Sequence, residues 1–182
     1  SVSVLLLKGD ISKEEDVNKI VQEVKNKFGR IDVLVNNAGI AIDQILEDKT
    51  VKEFQRVVDV NLVGTFLMSK EVGKVMLEQG YGKIINVAST NGIDTIYPES
   101  IDYDASKAGV ISLTKNLALA YAPIIQVNAV APGWVKTQMN QELEDSFIQE
   151  EERKILLGRF AHPSEIASVI YFLTTNEASY IN

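Results

Sequence analysis

Short, largely aliphatic runs recur along this chain, and each gives way to a stretch with helical spacing. A strand with one face in water alternates polar and apolar residues, whereas a mostly apolar strand is covered on both faces. Residues 4–7, 31–35, 83–88 and 124–131 read as the second kind, with Asp32, Lys83, Asn86, Gln126 and Asn128 as their few polar members. Strands like these, alternating with helices, predict an α/β fold: a doubly wound parallel sheet with helices on both sides.

The helical stretches carry their own punctuation. Ser12-Lys13-Glu14-Glu15 has the capping-box pattern that opens a helix, Val17, Ile20, Val21, Val24 and Phe28 follow at helical spacing, and Gly29 ends it. Thr50-Val51-Lys52-Glu53 repeats the pattern ahead of a proline-free segment reaching about residue 79. There Phe54, Val57, Val58, Val60, Leu62, Val63, Phe66 and Leu67 cover most of the circumference. Such a helix is expected to be buried on several sides, with a second subunit as one cover. Residues 103–122 form an Ala- and Leu-rich helix, 138–157 a polar one, and Pro163 starts the segment leading to 166–173. With no repeat, low-complexity tract or linker, residues 1–182 read as one domain.

Composition removes whole classes of chemistry. There are no cysteines, so disulfides, thiolate metal sites and cysteine nucleophiles are excluded. His162 is the single histidine, which excludes a multi-histidine metal centre, and no metal is expected. His162-Pro163-Ser164-Glu165 itself reads as a helix entrance. The net charge of −7 argues against a nucleic-acid partner, which needs excess cation. No apolar run reaches membrane-spanning length, and residues 1–7 lack a basic n-region, so they read as a strand and the protein as cytoplasmic.

Tyr103-Asp104-Ala105-Ser106-Lys107 places a phenol and an ammonium one helical turn apart on one face. A neighbouring ammonium favours phenolate, drawing the tyrosine pKa down from about 10 toward working pH. Such a tyrosine can exchange a proton with a substrate oxygen, although the same spacing also occurs on solvated helix faces. Asn36-Asn37-Ala38-Gly39 follows one aliphatic strand and Ser89 another. In parallel α/β sheets ligands bind beyond the carboxyl ends of strands. Small residues there admit a flat ring or a ribose, and a hydroxyl there can donate to an oxyanion. Asn61, between Val60 and Leu62, is either structural glue or part of a water relay.

Together these residues resemble the short-chain dehydrogenase/reductase family. The matching pieces are Asp10 after a strand, Asn36-Asn37-Ala38-Gly39, Asn61, Ser89, Tyr103-x-x-x-Lys107, and Asn128-Ala129-Val130-Ala131-Pro132-Gly133 followed by Val135 and Thr137. The resemblance spans essentially the whole chain and implies a Rossmann-type sheet and hydride transfer with NADP(H) or NAD(H), NADPH favoured. It implies Tyr103 as general acid/base and Lys107 as the residue that tunes Tyr103 and binds the nicotinamide ribose. Ser89 would polarise the substrate carbonyl, and Asn61 would hold a relay water. Asp10 and Ile11 would lie at the adenine, Asn37, Ala38 and Gly39 along the adenosine ribose, and Pro132, Gly133, Val135 and Thr137 around the nicotinamide and diphosphate. It also implies a homotetramer.

Within the family, Asn37-Ala38-Gly39-Ile40 with Asp43, and Ile155-Leu156-Leu157-Gly158-Arg159-Phe160 leading into Pro163-Ser164-Glu165-Ile166-Ala167, resemble bacterial-type 3-oxoacyl-[acyl-carrier-protein] reductases. The implied substrate is a small molecule or an acyl group on a carrier protein. A sugar or polyol dehydrogenase of the same family is the alternative, and a non-catalytic fragment or binding relative is the alternative from another class. Two features depart from the family. The segment between Ser89 and Tyr103 is unusually acidic, and no G-x-x-x-G-x-G turn precedes Asp10. The expectation is therefore a sheet lacking the family's first βαβ unit, about 30 residues or more, and its last strand.

Overall fold

The computed structural model describes residues 2–140 and 143–182. Three parallel strands, β1 (Val33–Asn36), β2 (Gly82–Val87) and β3 (Ile125–Val130), lie side by side in that order. Asn36 pairs with Asn86, and Val87 with Val130, so the carboxyl ends of the three strands are nearly flush. The segments that follow therefore leave the sheet along one edge. Helices α1 (Glu14–Phe28), α2 (Val51–Val58), α3 (Gly64–Gln79), α4 (Ile101–Tyr121), α5 (Asp145–Lys154) and α6 (Pro163–Thr174) complete the frame.

Successive strand residues point to opposite faces, and the core divides accordingly. Ile84 joins Val17 and Val21 of α1, Val72, Val75 and Met76 of α3 and Leu117 of α4. Its neighbour Ile85 joins Val130, Leu173 of α6 and Ala178 on the other side. Helices on both faces make this the doubly wound Rossmann-type arrangement. A polar thread runs through it: Asn36 donates to Ser69 Oγ at 2.9 Å and to Asn86 Oδ1 at 2.8 Å, and Asn86 donates to Thr114 Oγ1 at 2.9 Å. It ties β1, β2, α3 and α4 together just below the edge where the strands end.

Several elements form as their sequences dictate. Thr50 and Glu53 make both halves of the capping box on α2. Gly29 and Gly80 end α1 and α3 with φ of 77° and 76°, a left-handed conformation that favours glycine. His162 caps α6, its N–H donating to the Glu165 carboxylate at 2.7 Å. α2 and α3 are joined by a π turn, Asp59–Val63, which carries Asn61.

Three expectations are corrected. Residues 4–7 form no strand; Val4 and Leu6 are exposed, because among the described residues no strand pairs with this run. The capping box at Ser12 does not form. The Ser12 hydroxyl instead donates to Asp10 Oδ1 at 2.7 Å, and the helix starts at Glu14 with Lys13 as its cap. The helix expected over 138–157 is reduced to a short turn at Gln138–Asn140 and α5, whose chain turns extended at Ile155; Gln141 and Glu142 lie outside the described residues.

Candidate active site

The edge where the strands end gathers the chemistry-bearing residues. Beyond β1, Asn37-Ala38-Gly39 leads to Ile40, whose N–H donates to Asn61 Oδ1 at 2.8 Å. Asn61 Nδ2 donates to Ile40 O at 2.9 Å and to Ser106 Oγ on α4 at 3.0 Å. The buried amide thus clamps the loop after β1 to both helices. Gly39 is wedged in the same place: a Cβ there would stand 3.3 Å from Asn61 Oδ1 and 3.5 Å from Lys107 Nζ.

Beyond β2, Ser89 caps a short turn at Thr90–Gly92, its oxygen accepting from Asn91 N–H at 3.2 Å. The loop is stitched to the one after β3, since Ala88 N–H donates to Val130 O at 2.8 Å and Thr90 N–H to Pro132 O at 3.1 Å. The Ser89 side chain faces the Tyr103 phenol and draws its pKa down. Pro132 and Gly133 lie directly behind that seam.

On α4, Lys107 Nζ stands 5.5 Å from the centre of the Tyr103 ring and donates to Val87 O at 2.7 Å. Lys107 is 5% exposed, and burial pushes its pKa down to about 8. The expectation that Lys107 lowers the Tyr103 pKa is not met. Burial pushes the phenol up, the Ser89 hydroxyl pulls the other way, and the carboxylates of Asp104 and Asp43 add to the rise. The ammonium reaches past the ring to a backbone carbonyl, so desolvation dominates the phenol.

Asn61, Ser89, Tyr103, Lys107 and Gly39 are thereby brought together. Other expected residues make their contacts elsewhere. The Asp10 carboxylate accepts from Ser12 and, at 3.1 Å, from Arg56 on α2, which hold it below the usual carboxylate range. Ile11 packs on Gly64. Val135 bridges to Ala161, and Thr137 O accepts from Asn140 N–H at 3.1 Å.

Motif reading misses a buried ion pair next to the tyrosine. Lys49 Nζ lies 3.0 Å from Asp102 Oδ2, the two side chains 4% and 0% exposed. Asp102 Oδ1 accepts from Tyr103 N–H at 2.9 Å, and Ser100 Oγ donates to Asp43 nearby. These contacts fasten the loop after β1 to the start of α4. The only advance signal is the density of acidic residues before Tyr103. Among the described residues no cluster of His, Asp or Glu is suited to a metal ion, and no helix is long and apolar enough to cross a membrane.

Comparison with known proteins agrees with this geometry. A family model described as enoyl-(acyl carrier protein) reductase matches residues 1–182. The 3-oxoacyl-[acyl-carrier-protein] reductase FabG of Thermotoga maritima is 42% identical over 173 residues, 94% of this chain and 70% of that protein. An NAD-dependent glycerol dehydrogenase of Listeria innocua is 36% identical over 97% of this chain and 70% of its own length. The crystal structure of a gluconate 5-dehydrogenase from Burkholderia cenocepacia, in complex with NADP and tartrate, superposes with a TM-score of 0.91 at 30% identity, covering 96% of this chain and 69% of that one. The chain belongs to the short-chain dehydrogenase/reductase family and is an NAD(P)-dependent oxidoreductase.

Proposed function

We propose that the protein reduces a 3-oxoacyl thioester, borne on an acyl carrier protein, to its 3-hydroxyacyl form, with NADPH favoured over NADH. The observation that carries the chemistry is the convergence of Tyr103, Lys107, Ser89 and Asn61 on one sheet edge. The substrate is argued from the curated relatives, several of them named 3-oxoacyl-[acyl-carrier-protein] reductase at about 40% identity.

The residues suit the nicotinamide end of a dinucleotide. An ammonium has three donors, and Lys107 Nζ spends one on Val87 O, leaving donors for ribose hydroxyls. Gly39 keeps the loop after β1 clear beside it, and a Cβ on Gly133 would meet nothing nearer than Thr90 Oγ1 at 3.9 Å. When bound, the nicotinamide supplies the hydride. Ser89 then holds the substrate carbonyl, and Tyr103 gives its phenolic proton to the oxygen as negative charge develops there. Lys107 holds the nicotinamide ribose beside Tyr103. Asn61, across Gly39 from Lys107, is the residue assigned to the relay that returns the proton. Pro132, Gly133, Val135 and Thr137 flank the nicotinamide and diphosphate, and Asn37, Ala38, Asp10 and Ile11 the adenosine. Residues 1–182 act as one catalytic domain, and the intact protein is a homotetramer.

A second reading, sugar or polyol oxidation, is favoured by the gluconate 5-dehydrogenase and glycerol dehydrogenase likenesses. The test is substrate-dependent oxidation of NADPH and NADH by the intact protein with a 3-oxoacyl thioester, beside reduction of NADP and NAD with gluconate and glycerol. Turnover confined to the polyols overturns the first reading.

A further inference from the structure

We propose that Asp104 is a positioning residue: it holds the loop after β2 down on α4 beside Tyr103 and so sets the affinity for substrate. The inference rests on the reading of Tyr103 as proton donor and goes further by naming what closes the substrate side of the site.

Asp104 follows Tyr103 on α4, and each of its carboxylate oxygens takes a different part of the loop. Oδ1 accepts from Asn91 Nδ2 at 2.7 Å, near the start, and Oδ2 accepts from Tyr97 N–H at 3.1 Å, near the end. One ionised group thus spans the loop. Hydrogen bonds to a charged acceptor are stronger than neutral ones. A second feature shows how closely the loop lies on the helix. A Cβ on Gly92 would stand 2.6 Å from the carbonyl carbon of Lys107 and 2.7 Å from Ala108 N. The far end of the loop continues into an aromatic wall. Tyr97 meets Phe147 of α5 edge-on with centroids 6.3 Å apart, and Phe147 meets Trp134, just after Gly133, at 5.7 Å. Releasing Asp104 would free the segment between Ser89 and this wall, the side from which a carbonyl substrate must reach Ser89 and Tyr103.

The carboxylate also bears on the phenol. The charged groups facing Tyr103 are Asp104 and Lys107 on α4 and Asp43 on the loop after β1, with the Ser89 hydroxyl opposing the two carboxylates. Removing the Asp104 charge lowers the phenol pKa, while the Lys107 ammonium, with a pKa of about 8, loses its charge first as pH rises.

The test is steady-state kinetics of the intact enzyme as Asp104→Ala and Asp104→Asn, with Tyr103→Phe in parallel and cofactor affinity measured by fluorescence titration. Asp104→Ala loses both acceptors and should raise the substrate KM about 10-fold or more, with cofactor affinity unchanged. Asp104→Asn keeps one acceptor, so KM should rise less, again with kcat and cofactor affinity little changed. Lower thermal stability with KM unmoved in both variants would make Asp104 merely structural and overturn the proposal. If Asp104→Ala does not fold, Asp104→Asn decides on KM against kcat. Full turnover by Tyr103→Phe would instead overturn the assignment of the proton donor, while an inactive Tyr103→Phe beside unmoved KM values overturns only the role of Asp104.

Discussion

Lys107 Nζ stands 5.5 Å from the centre of the Tyr103 ring, one turn along α4. Burial acts on the two groups in opposite senses on the pKa scale, raising the phenol and lowering the ammonium to about 8. Near neutral pH the phenol therefore holds its proton and the lysine its charge. That is the protonation state a carbonyl reduction needs: a proton to give, and a cation in place for the ribose hydroxyls.

Tyr103→Phe removes the proton and leaves the ring. Turnover should fall by at least ~100-fold, the usual scale for a lost general acid, with cofactor affinity nearly unchanged. Single-turnover rates and a cofactor titration check this. Near-normal turnover would remove Tyr103 from the chemistry.

Lys107→Met should cost activity and improve stability. The folded pKa of about 8 lies below the ordinary lysine value of 10.5, so folding disfavours the charged form. The penalty is on the order of 3 kcal/mol, less about 1 kcal/mol for the donor lost to Val87 O. The unfolded chain holds more protons than the folded one between the two values, so the unsubstituted protein gains stability as pH rises from about 8 to 10.5. The variant should melt higher at pH 7, and the gap should close toward pH 10.5. A gap that does not change with pH would contradict the burial argument. Turnover and cofactor affinity should both fall, because one side chain serves both.

How much of this was legible in the sequence follows from the range of each interaction. Tyr103 and Lys107 share a helix face by spacing alone, and Gly39 and Ser89 share a sheet edge because each directly follows an apolar strand. Residues 4–7 carry the aliphatic composition of a strand, which is local, whereas strand formation needs a partner edge. Ser12 has the pattern of a cap, but the Asp10 carboxylate captures its hydroxyl. The Lys49–Asp102 pair and the Asp104 bridge join loops to α4 through long-range geometry that no periodicity encodes. Asn61 sits between apolar neighbours in the sequence, and its clamp on Ile40 and Ser106 comes only with the fold.

Gly92→Ala tests the close approach of the loop after β2 to α4. The added methyl would fall 2.6–2.8 Å from backbone atoms of Lys107 and Ala108, which cannot rotate away as a side chain can. The loop must lift or α4 must shift, at a cost of about 1–3 kcal/mol. Thermal melts should show the loss, and the substrate KM should rise. A variant with unchanged melting temperature and KM would mean that the loop has slack the geometry does not show.

Assembly gives the last prediction. Phe66 on α3 is 43% exposed and Leu119 on α4 is 82% exposed, while Ile111 is half-buried. α3 already gives Leu67, Val72, Val75 and Met76 to the core, so Phe66 belongs to a second apolar face that the sheet does not cover. Two such helices per subunit can meet their symmetry mates and bury a self-complementary patch, closing a two-fold assembly. The intact protein should scatter light as a tetramer at micromolar concentration. Phe66→Glu would bring like charges together across the two-fold and lower the assembly state without abolishing the fold, as circular dichroism would show. A monomer in the unsubstituted protein, or a tetramer indifferent to the charge, would place the contact elsewhere or deny it.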